Sequence, residues 1–236
     1  MKITLLILCL NEIIGLKEIL PKIDKSQFIQ ILIVDGGSKD GSIEWAKDNG
    51  YELYVQKNKG LRHAYFESYD LIKGDTVMTF SPDGNCIAED IPKILKEMQK
   101  GYDMVIASRY LGNIKSEDDD IITAFGNWFF TNTINLLHNG KYTDAMTIFR
   151  VFKKDLIKKL DLMKEKKYSI PEKLFFTNIS WEPLMSIRAA KLNFNISEVA
   201  SVEPARIGGE RKLQIIRWGL AYLYQVVTEF KVWSKN

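Results

Sequence analysis

Thr76-Val77-Met78-Thr79-Phe80-Ser81-Pro82-Asp83-Gly84-Asn85 is a short apolar run that stops abruptly at a carboxylate set between Pro82 and Gly84. Val77, Met78 and Phe80 read as a buried strand, and Pro82 and Gly84 end its ladder in a turn. In an open α/β sheet the carboxyl edge of the strands is where ligands bind. Asp83 and Asn85 stand two apart in that turn. Both side-chain oxygens can reach one hard cation of the kind that keeps waters and substrate phosphates in its shell. The competing reading is a surface turn closed by an Asx hydrogen bond.

Outward from this stretch, apolar runs alternate with helix-period segments as a parallel sheet requires. Strands are expected at Ile3–Cys9, Ile29–Val34, Tyr51–Val55, Thr76–Phe80 and Met104–Ala107. Helices are expected at Ile13–Ile23, Ser42–Asn49, Leu61–Lys73 and Ile91–Lys100, with Asp40 and Asp90 as N-caps of the second and fourth. Beyond Ser108 the rhythm breaks into a polar, acidic loop at Asn113–Asp120 and an aromatic-rich helix at Ile121–Leu137. A further strand at Thr147–Phe152 and a helix at Glu182–Leu192 follow. The lysines scattered through Lys153–Lys173 read as a solvated face.

The chain has 236 residues with 46% hydrophobic content, enough for one substantial α/β core. Its net charge of +3 arises from 33 basic and 30 acidic residues, a balance that gives no support for nucleic acid as a partner. Cys9 and Cys86 supply neither a disulfide framework nor zinc spacing, which suits a reducing, cytoplasmic setting. The apolar N-terminus runs straight into Asn11-Glu12 without a small-residue cleavage site, so it reads as the first core strand.

A second segment, Val34-Asp35-Gly36-Gly37-Ser38-Lys39-Asp40-Gly41-Ser42, carries a strand into a carboxylate followed by two glycines. The glycines let backbone approach a flat ligand or phosphate, and Asp35 can accept hydrogen bonds from a base or ribose. The acidic residue precedes the glycines and the G-x-G-x-x-G spacing is absent, so a dinucleotide oxidoreductase is disfavoured.

Together with Leu8-Cys9-Leu10-Asn11-Glu12 and Ala107-Ser108-Arg109-Tyr110, these segments stand in the order and spacing of family 2 glycosyltransferases of the GT-A fold, which the chain resembles. Thr143-Asp144-Ala145-Met146-Thr147-Ile148-Phe149-Arg150 and Arg206-Ile207-Gly208-Gly209-Glu210-Arg211-Lys212 resemble the branch holding dolichyl-phosphate mannose synthase and other polyprenyl-phosphate sugar synthases.

The resemblance implies a Rossmann-like, mostly parallel sheet flanked by helices over residues 1–212, followed by an amphipathic helical segment at 213–236. It implies an inverting enzyme that moves a sugar from a uridine or guanosine diphosphate donor to a lipid-linked acceptor. Leu10, Asn11 and Glu12 match the turn bordering the nucleotide, Asp35 with Gly37 the base-contacting turn, and Asp83 with Asn85 the holders of a divalent magnesium or manganese. Arg206 and Lys212 match a basic loop that closes over the diphosphate. That loop, Ala205–Leu213, is expected to be mobile without donor and ordered with it. Metal, Arg and Lys would neutralise the charge that develops on the leaving diphosphate.

Three departures stand out: Ser81 replaces the first metal-motif Asp, Gly36 replaces an Asp after Asp35, and no Arg lies in Asp118–Thr123. Asp118, Asp119 and Asp120 would repel an acceptor phosphate there, which leaves Arg109 and Arg150 as candidate replacements. Asp144 and Glu182 are the candidate general bases, although a phosphate acceptor is already ionised and needs none. His63 and His138 receive no chemical role. A sugar-phosphate nucleotidyltransferase would carry a Gly-rich basic loop where Asn11-Glu12 stand. A catalytically silent nucleotide-binding relative is the other rival.

Leu213–Trp233 is largely apolar, yet Arg217 and Glu229 leave too short an uncharged stretch for the ~20 residues that span a bilayer. Trp218, Tyr222, Tyr224 and Trp233, with Lys212, Arg217, Lys231 and Lys235, suit a helix lying on an anionic surface. The expectation is a peripheral enzyme on the cytoplasmic membrane face. A homo-oligomer or a membrane partner protein stays open, as do the sugar and the acceptor.

Overall fold

Residues 1–112, 116–208 and 214–232 are described by a computed structural model. They form one seven-stranded sheet with strands β1 (Ile3–Cys9), β2 (Gln30–Asp35), β3 (Glu52–Val55), β4 (Thr76–Phe80), β5 (Met104–Ser108), β6 (Arg150–Lys153) and β7 (Ile196–Ala200). The order across the sheet is β3-β2-β1-β4-β6-β5-β7. All pairings are parallel except those of β6, which runs antiparallel between β4 and β5. The helices are α1 (Ile13–Ile19), α2 (Ser42–Asp48), α3 (Leu61–Ser68), α4 (Ile91–Met98), α5 (Ile121–His138), α6 (Leu156–Lys159), α7 (Lys166–Phe175), α8 (Glu182–Lys191) and α9 (Ile215–Val232).

The two-residue alternation of β1 explains the layering. Leu5, Ile7 and Cys9 face a core shared with α1, α2 and α4, while Leu6 and Leu8 face the opposite core, built on α3, α5, α7, α8 and α9. Every residue of β1 is buried, as a central parallel strand covered on both faces should be. The carboxyl ends of β1, β2, β4 and β5 and the entry to β6 consequently share one edge.

The first five strands lie where the sequence places them, and three differences follow from tertiary context. Leu61–Lys73 ends its α-helix at Ser68 and tightens to a 3₁₀ turn over Tyr69–Leu71. Lys153–Lys173 is not only a solvated face: Leu156, Ile157, Leu160, Leu162 and Tyr168 are buried beneath the lysines on α6, α7 and their connection. Strand β7 is absent from the sequence reading because Ile196-Ser197-Glu198-Val199-Ala200 carries two polar residues and every position is only half-buried at the sheet edge. The expected caps also resolve differently. Asp40 sits before Gly41, and its carboxylate accepts from the backbone of both Ile13 and Ser42, so it starts α1 and α2 together. Asp90 holds the cap position of α4 without capping it, its carboxylate instead meeting Lys93 and the Ser201 hydroxyl.

The C-terminal segment packs by one face of α9 into the main core through Ala221, Tyr222 and Val226. Glu229 is buried and paired with Arg188 and Lys167. His138 of α5 hydrogen-bonds the Val226 carbonyl at 2.9 Å, a structural tie between the two helices. Among the described residues no helix is long and apolar enough to cross a membrane.

Candidate active site

A cleft of about 790 Å³ opens along the shared sheet edge. Its nucleotide-facing end, as the sequence reading has it, is two interlaced turns. Asn11 adopts a left-handed φ of 55° and accepts from the Lys39 backbone at 2.8 Å, while its own N–H donates to Ser38 Oγ at 2.7 Å. Ser38 Oγ in turn donates to Asp35 Oδ2, and Asp35 Oδ1 accepts from the backbone of Gly37 and Ser38. Leu10, Asn11, Glu12, Gly36 and Gly37 line the cleft. Asp35 does not: it is buried beneath them with its carboxylate holding the turn. Gly37, at a φ of 90°, brings bare backbone to the surface that a flat ligand would meet.

The Asp83 turn forms the middle. Helix α1 presses so closely on it that a Cβ on Gly15 would lie 1.6 Å from the Pro82 carbonyl oxygen. Asp83 Oδ1 accepts from the Asn85 backbone, closing the Asx turn of the competing reading, and Oδ2 pairs with Arg206 Nη1 at 2.9 Å. The chain from Pro204 to Gly208 lies strapped across this turn. Ile207 N–H donates to the Asp83 carbonyl at 3.1 Å, and Asn85 Nδ2 donates to the Pro204 carbonyl at 3.0 Å. Gly84, at φ 99°, leaves room for Ile207. Lys212, the other basic residue expected in this loop, lies outside the described residues, as does Arg211.

The fit to a divalent cation is partial and specific. Among the described residues no group of three or more His, Cys, Asp or Glu could enclose a metal. Yet Asp83 already pairs with a cationic group, and the buried Oδ1 of Asn85 has no hydrogen-bond partner. One carboxylate and one amide oxygen suit a cation that arrives on a diphosphate and keeps most of its other ligands.

At the far end, Arg109 is held by Asp144 through Nε at 2.6 Å and Nη2 at 3.0 Å, and its Nη1 lies 3.3 Å from Glu203. Arg109 and Glu203 line the cleft and Asp144 does not, being fully buried. Burial alone would raise the Asp144 pKa, but the Arg109 guanidinium overrides it and holds the carboxyl below its ordinary value. Asp144 is thus an ionised anchor for Arg109. Glu203 moves the other way, pushed up by burial against the pull of Arg109. Arg150 is no phosphate ligand and no surface residue: it is wholly buried and donates to the Thr147 carbonyl and Ser186 Oγ. Asp118 and Asp119 line the mouth, with Asp118 3.8 Å from Arg206.

The floor between the sheet and the helical layer carries Glu182, Ser180, Phe130, Trp218 and Tyr222. Glu182 was visible in the sequence as a candidate general base. Ser180 and Glu203 were not. Glu203 follows β7, and recognising that edge strand would have placed it beside Arg109.

Comparison with known proteins agrees with this architecture. The family model described as Glycosyl transferase family 2 matches residues 4–161. Glycosyltransferase AglJ of Haloferax volcanii is 27% identical over 146 residues, 61% of this chain and 48% of that one. The chain therefore spans about half of that relative. Undecaprenyl-phosphate mannosyltransferase of Micrococcus luteus is 25% identical over 241 residues, covering 94% of this chain and 95% of that one. Glucosyl-3-phosphoglycerate synthase of Mycobacterium tuberculosis, solved with manganese, UDP and glucosyl-3-phosphoglycerate, superposes with a TM-score of 0.63 at 14% identity over 99% of this chain and 81% of that one. The sheet order, the Asp35 and Asp83 turns and the family match together make this chain a member of glycosyl transferase family 2 with the GT-A fold.

Proposed function

We propose that the protein is a metal-dependent, inverting glycosyltransferase that moves a sugar from a UDP- or GDP-sugar to a polyprenyl-phosphate acceptor in cell-envelope glycan synthesis. The observation that carries this reading is one continuous cleft. It joins the glycine turn after β2, the Asp83–Asn85 turn with Arg206 across it, and an apolar wall of Phe130, Trp218 and Tyr222. The relative from Micrococcus luteus, matched over nearly its whole length, is named for an undecaprenyl-phosphate acceptor.

In this reading Gly36 and Gly37 lie against the base and ribose, and Asp83 with Asn85 would hold the cation. When bound, magnesium or manganese supplies Lewis-acid neutralisation of the departing diphosphate. Arg206 shares that charge: its Nε makes no hydrogen bond and lies 3.8 Å from Asp118, so a phosphate oxygen would compete there only with a long ion pair. Arg109, fixed in orientation by Asp144, is a cation available at the acceptor end. An acceptor phosphate oxygen attacks the anomeric carbon from the face opposite the diphosphate and inverts it, with no protein base required.

The exposed faces of α5 and α9 suit a bilayer surface. Helix α5 contains no Asp, Glu, Lys or Arg, yet leaves Ile121 89%, Phe125 61% and Trp128 61% exposed, and α9 exposes Ile216 and Phe230 beside it. The enzyme would then sit peripherally on the cytoplasmic membrane face with its acceptor end toward the lipid.

The test is transfer of labelled sugar from UDP-glucose or GDP-mannose into organic-extractable undecaprenyl phosphate, with and without chelator. Metal-dependent labelling of the lipid is expected. Nucleotide binding without turnover on any acceptor would favour the silent-binder alternative, to which Asp83 as the sole carboxylate of its turn lends weight.

A further inference from the structure

We propose that Ser180 and Glu182 form a hydroxyl-reading subsite for the sugar ring of the donor, separate from the groups that hold its nucleotide and phosphates. This rests on the donor reading above. Both residues line the cleft floor at the start of α8, and neither belongs to the turns at the sheet edge.

Their position follows from Arg150. Its Nε donates to the Thr147 carbonyl at 2.9 Å and its Nη1 to Ser186 Oγ at 3.1 Å, with the Glu182 carbonyl 3.5 Å away. The start of α8 is therefore pinned against the entry to β6. In the sheet order β6 follows β4, so it lies past the Asp83 turn when counted from β2 and β1. A ligand that lays its base against the first two turns and its diphosphate at Asp83 reaches this floor with its next group, the sugar.

Their chemistry suits hydroxyls. Ser180 is 8% exposed, and its buried Oγ has no hydrogen-bond partner, while its backbone N–H is already taken by the Tyr222 hydroxyl at 3.1 Å. A buried hydroxyl left unpaired costs stability, a cost a ligand can remove. Glu182, 3% exposed, has Oε1 fixed by the Tyr65 hydroxyl, and Tyr65 is itself stacked on Trp181 with ring centroids 4.0 Å apart. The carboxyl also meets the residue's own backbone N–H. Burial raises the Glu182 pKa, which favours a form able to donate as well as accept. A sugar hydroxyl both donates and accepts, and a donor–acceptor pair two residues apart can engage neighbouring hydroxyls of one ring. A site built this way discriminates strongly, because a ligand lacking the hydroxyl leaves buried polar groups unpaired.

The test is calorimetric titration of the full chain with manganese and each of UDP, GDP, UDP-glucose and GDP-mannose, for wild type, Ser180→Ala and Glu182→Gln. The expected result is a loss of about tenfold in affinity for the nucleotide sugar in each variant, one hydrogen bond's worth, with affinity for the matching nucleoside diphosphate unchanged. Ser180→Ala removes an unpaired hydroxyl and should melt no lower than wild type, so it decides the matter even if Glu182→Gln folds poorly. Equal losses for diphosphate and nucleotide sugar would overturn the subsite, assigning the pair to the base or to the scaffold. Unchanged nucleotide-sugar affinity in Ser180→Ala would overturn it too. A wild type that binds none of the four ligands would overturn the donor reading, and the subsite with it.

Discussion

Arg206→Gln is expected to move two affinities in opposite directions. The Arg206 guanidinium lies 2.9 Å from Asp83 Oδ2, so manganese entering without nucleotide must first displace it. At that 2.9 Å separation the gross attraction is about 6 kcal/mol for an effective dielectric of about 20. Asp83 is 8% and Arg206 27% exposed at the side chain, so desolvation and residual solvent screening offset most of it, leaving a net value of about 1 to 2 kcal/mol. Removing the guanidinium should therefore tighten binding of free manganese about tenfold. The strap itself stays fastened, because its contacts through Ile207 N–H and the Pro204 carbonyl do not involve the Arg206 side chain. With a nucleoside diphosphate the sign reverses: the variant lacks a charge-assisted partner for the phosphates and should bind manganese–UDP or manganese–GDP about tenfold more weakly. Titration of the free-ion manganese resonance, with and without nucleotide, measures both. If both affinities fall, Arg206 only organises the turn; if both rise, it is a plug that never transfers to the diphosphate.

The other expectations are simpler in sign. Asp83→Ala should abolish metal-dependent nucleotide binding in a thermal-shift assay while costing only about 1 to 2 kcal/mol of stability, the value of one partly solvated ion pair and an Asx turn. Asp144→Asn should cost about 3 kcal/mol at neutral pH, because it leaves Arg109 short of its buried partner. The Asp144 carboxyl titrates below its ordinary 3.8, so its stabilisation is complete above that pH and fades as pH falls further; urea midpoints of variant and wild type should converge only below about pH 3.8. Replacing the exposed Phe125 and Trp128 together by Ser should reduce co-sedimentation with anionic vesicles at least tenfold and leave stability within about 0.5 kcal/mol. Failure of wild type to co-sediment at low salt would sink the membrane reading. Truncation after residue 212 is the wrong test of it, since Ala221, Tyr222 and Val226 fill the core and their loss should unfold the chain.

Much of this was readable in advance where local pattern and burial coincide. The first strands are continuous apolar runs because both their faces are covered, and each ends at a residue type that stops a ladder, so β1, β2 and β4 and their turns could be placed from sequence. Strand β7 could not: with Ser197 and Glu198 adjacent and every position half-buried, it looks like loop until β5 is known to pair with it. Residue roles were harder still, because they depend on contacts between segments distant in sequence. Asp35 and Asp144 stand in motifs that suggest ligand contact, yet three hydrogen bonds turn the first inward to its own turn, and Arg109, 35 residues away, captures the second. Arg150 on a strand of four looks exposed until α8 is known to cover it.

These captures bear on how the cleft treats anions. Arg109 and Arg206 both face it already paired with carboxylates, Arg109 with Asp144 and Glu203 and Arg206 with Asp83 and Asp118. A monovalent anion entering at either point gains one guanidinium and leaves a buried or half-buried carboxylate without its partner, an exchange with little net gain. A diphosphate carrying a divalent cation would change the balance under the proposed function, since Asp83 would then have a second positive partner and Arg206 would be free to meet the phosphate. Arg109 cannot be released in the same way, since Asp144 grips it by two hydrogen bonds and lies below the cleft surface. It is therefore a fixed, oriented charge, with its Nη1 edge shared with Glu203, whose pKa burial raises against the pull of Arg109. On the proposed function the two arginines would divide the work: Arg206, held by one pair to Asp83, would answer to a metal-bound diphosphate, whereas Arg109, held by Asp144 through two hydrogen bonds, would mark one position. On the proposed function that division would favour ordered loading, with the donor and its cation engaging the Asp83 turn first and the acceptor meeting a charge already in place.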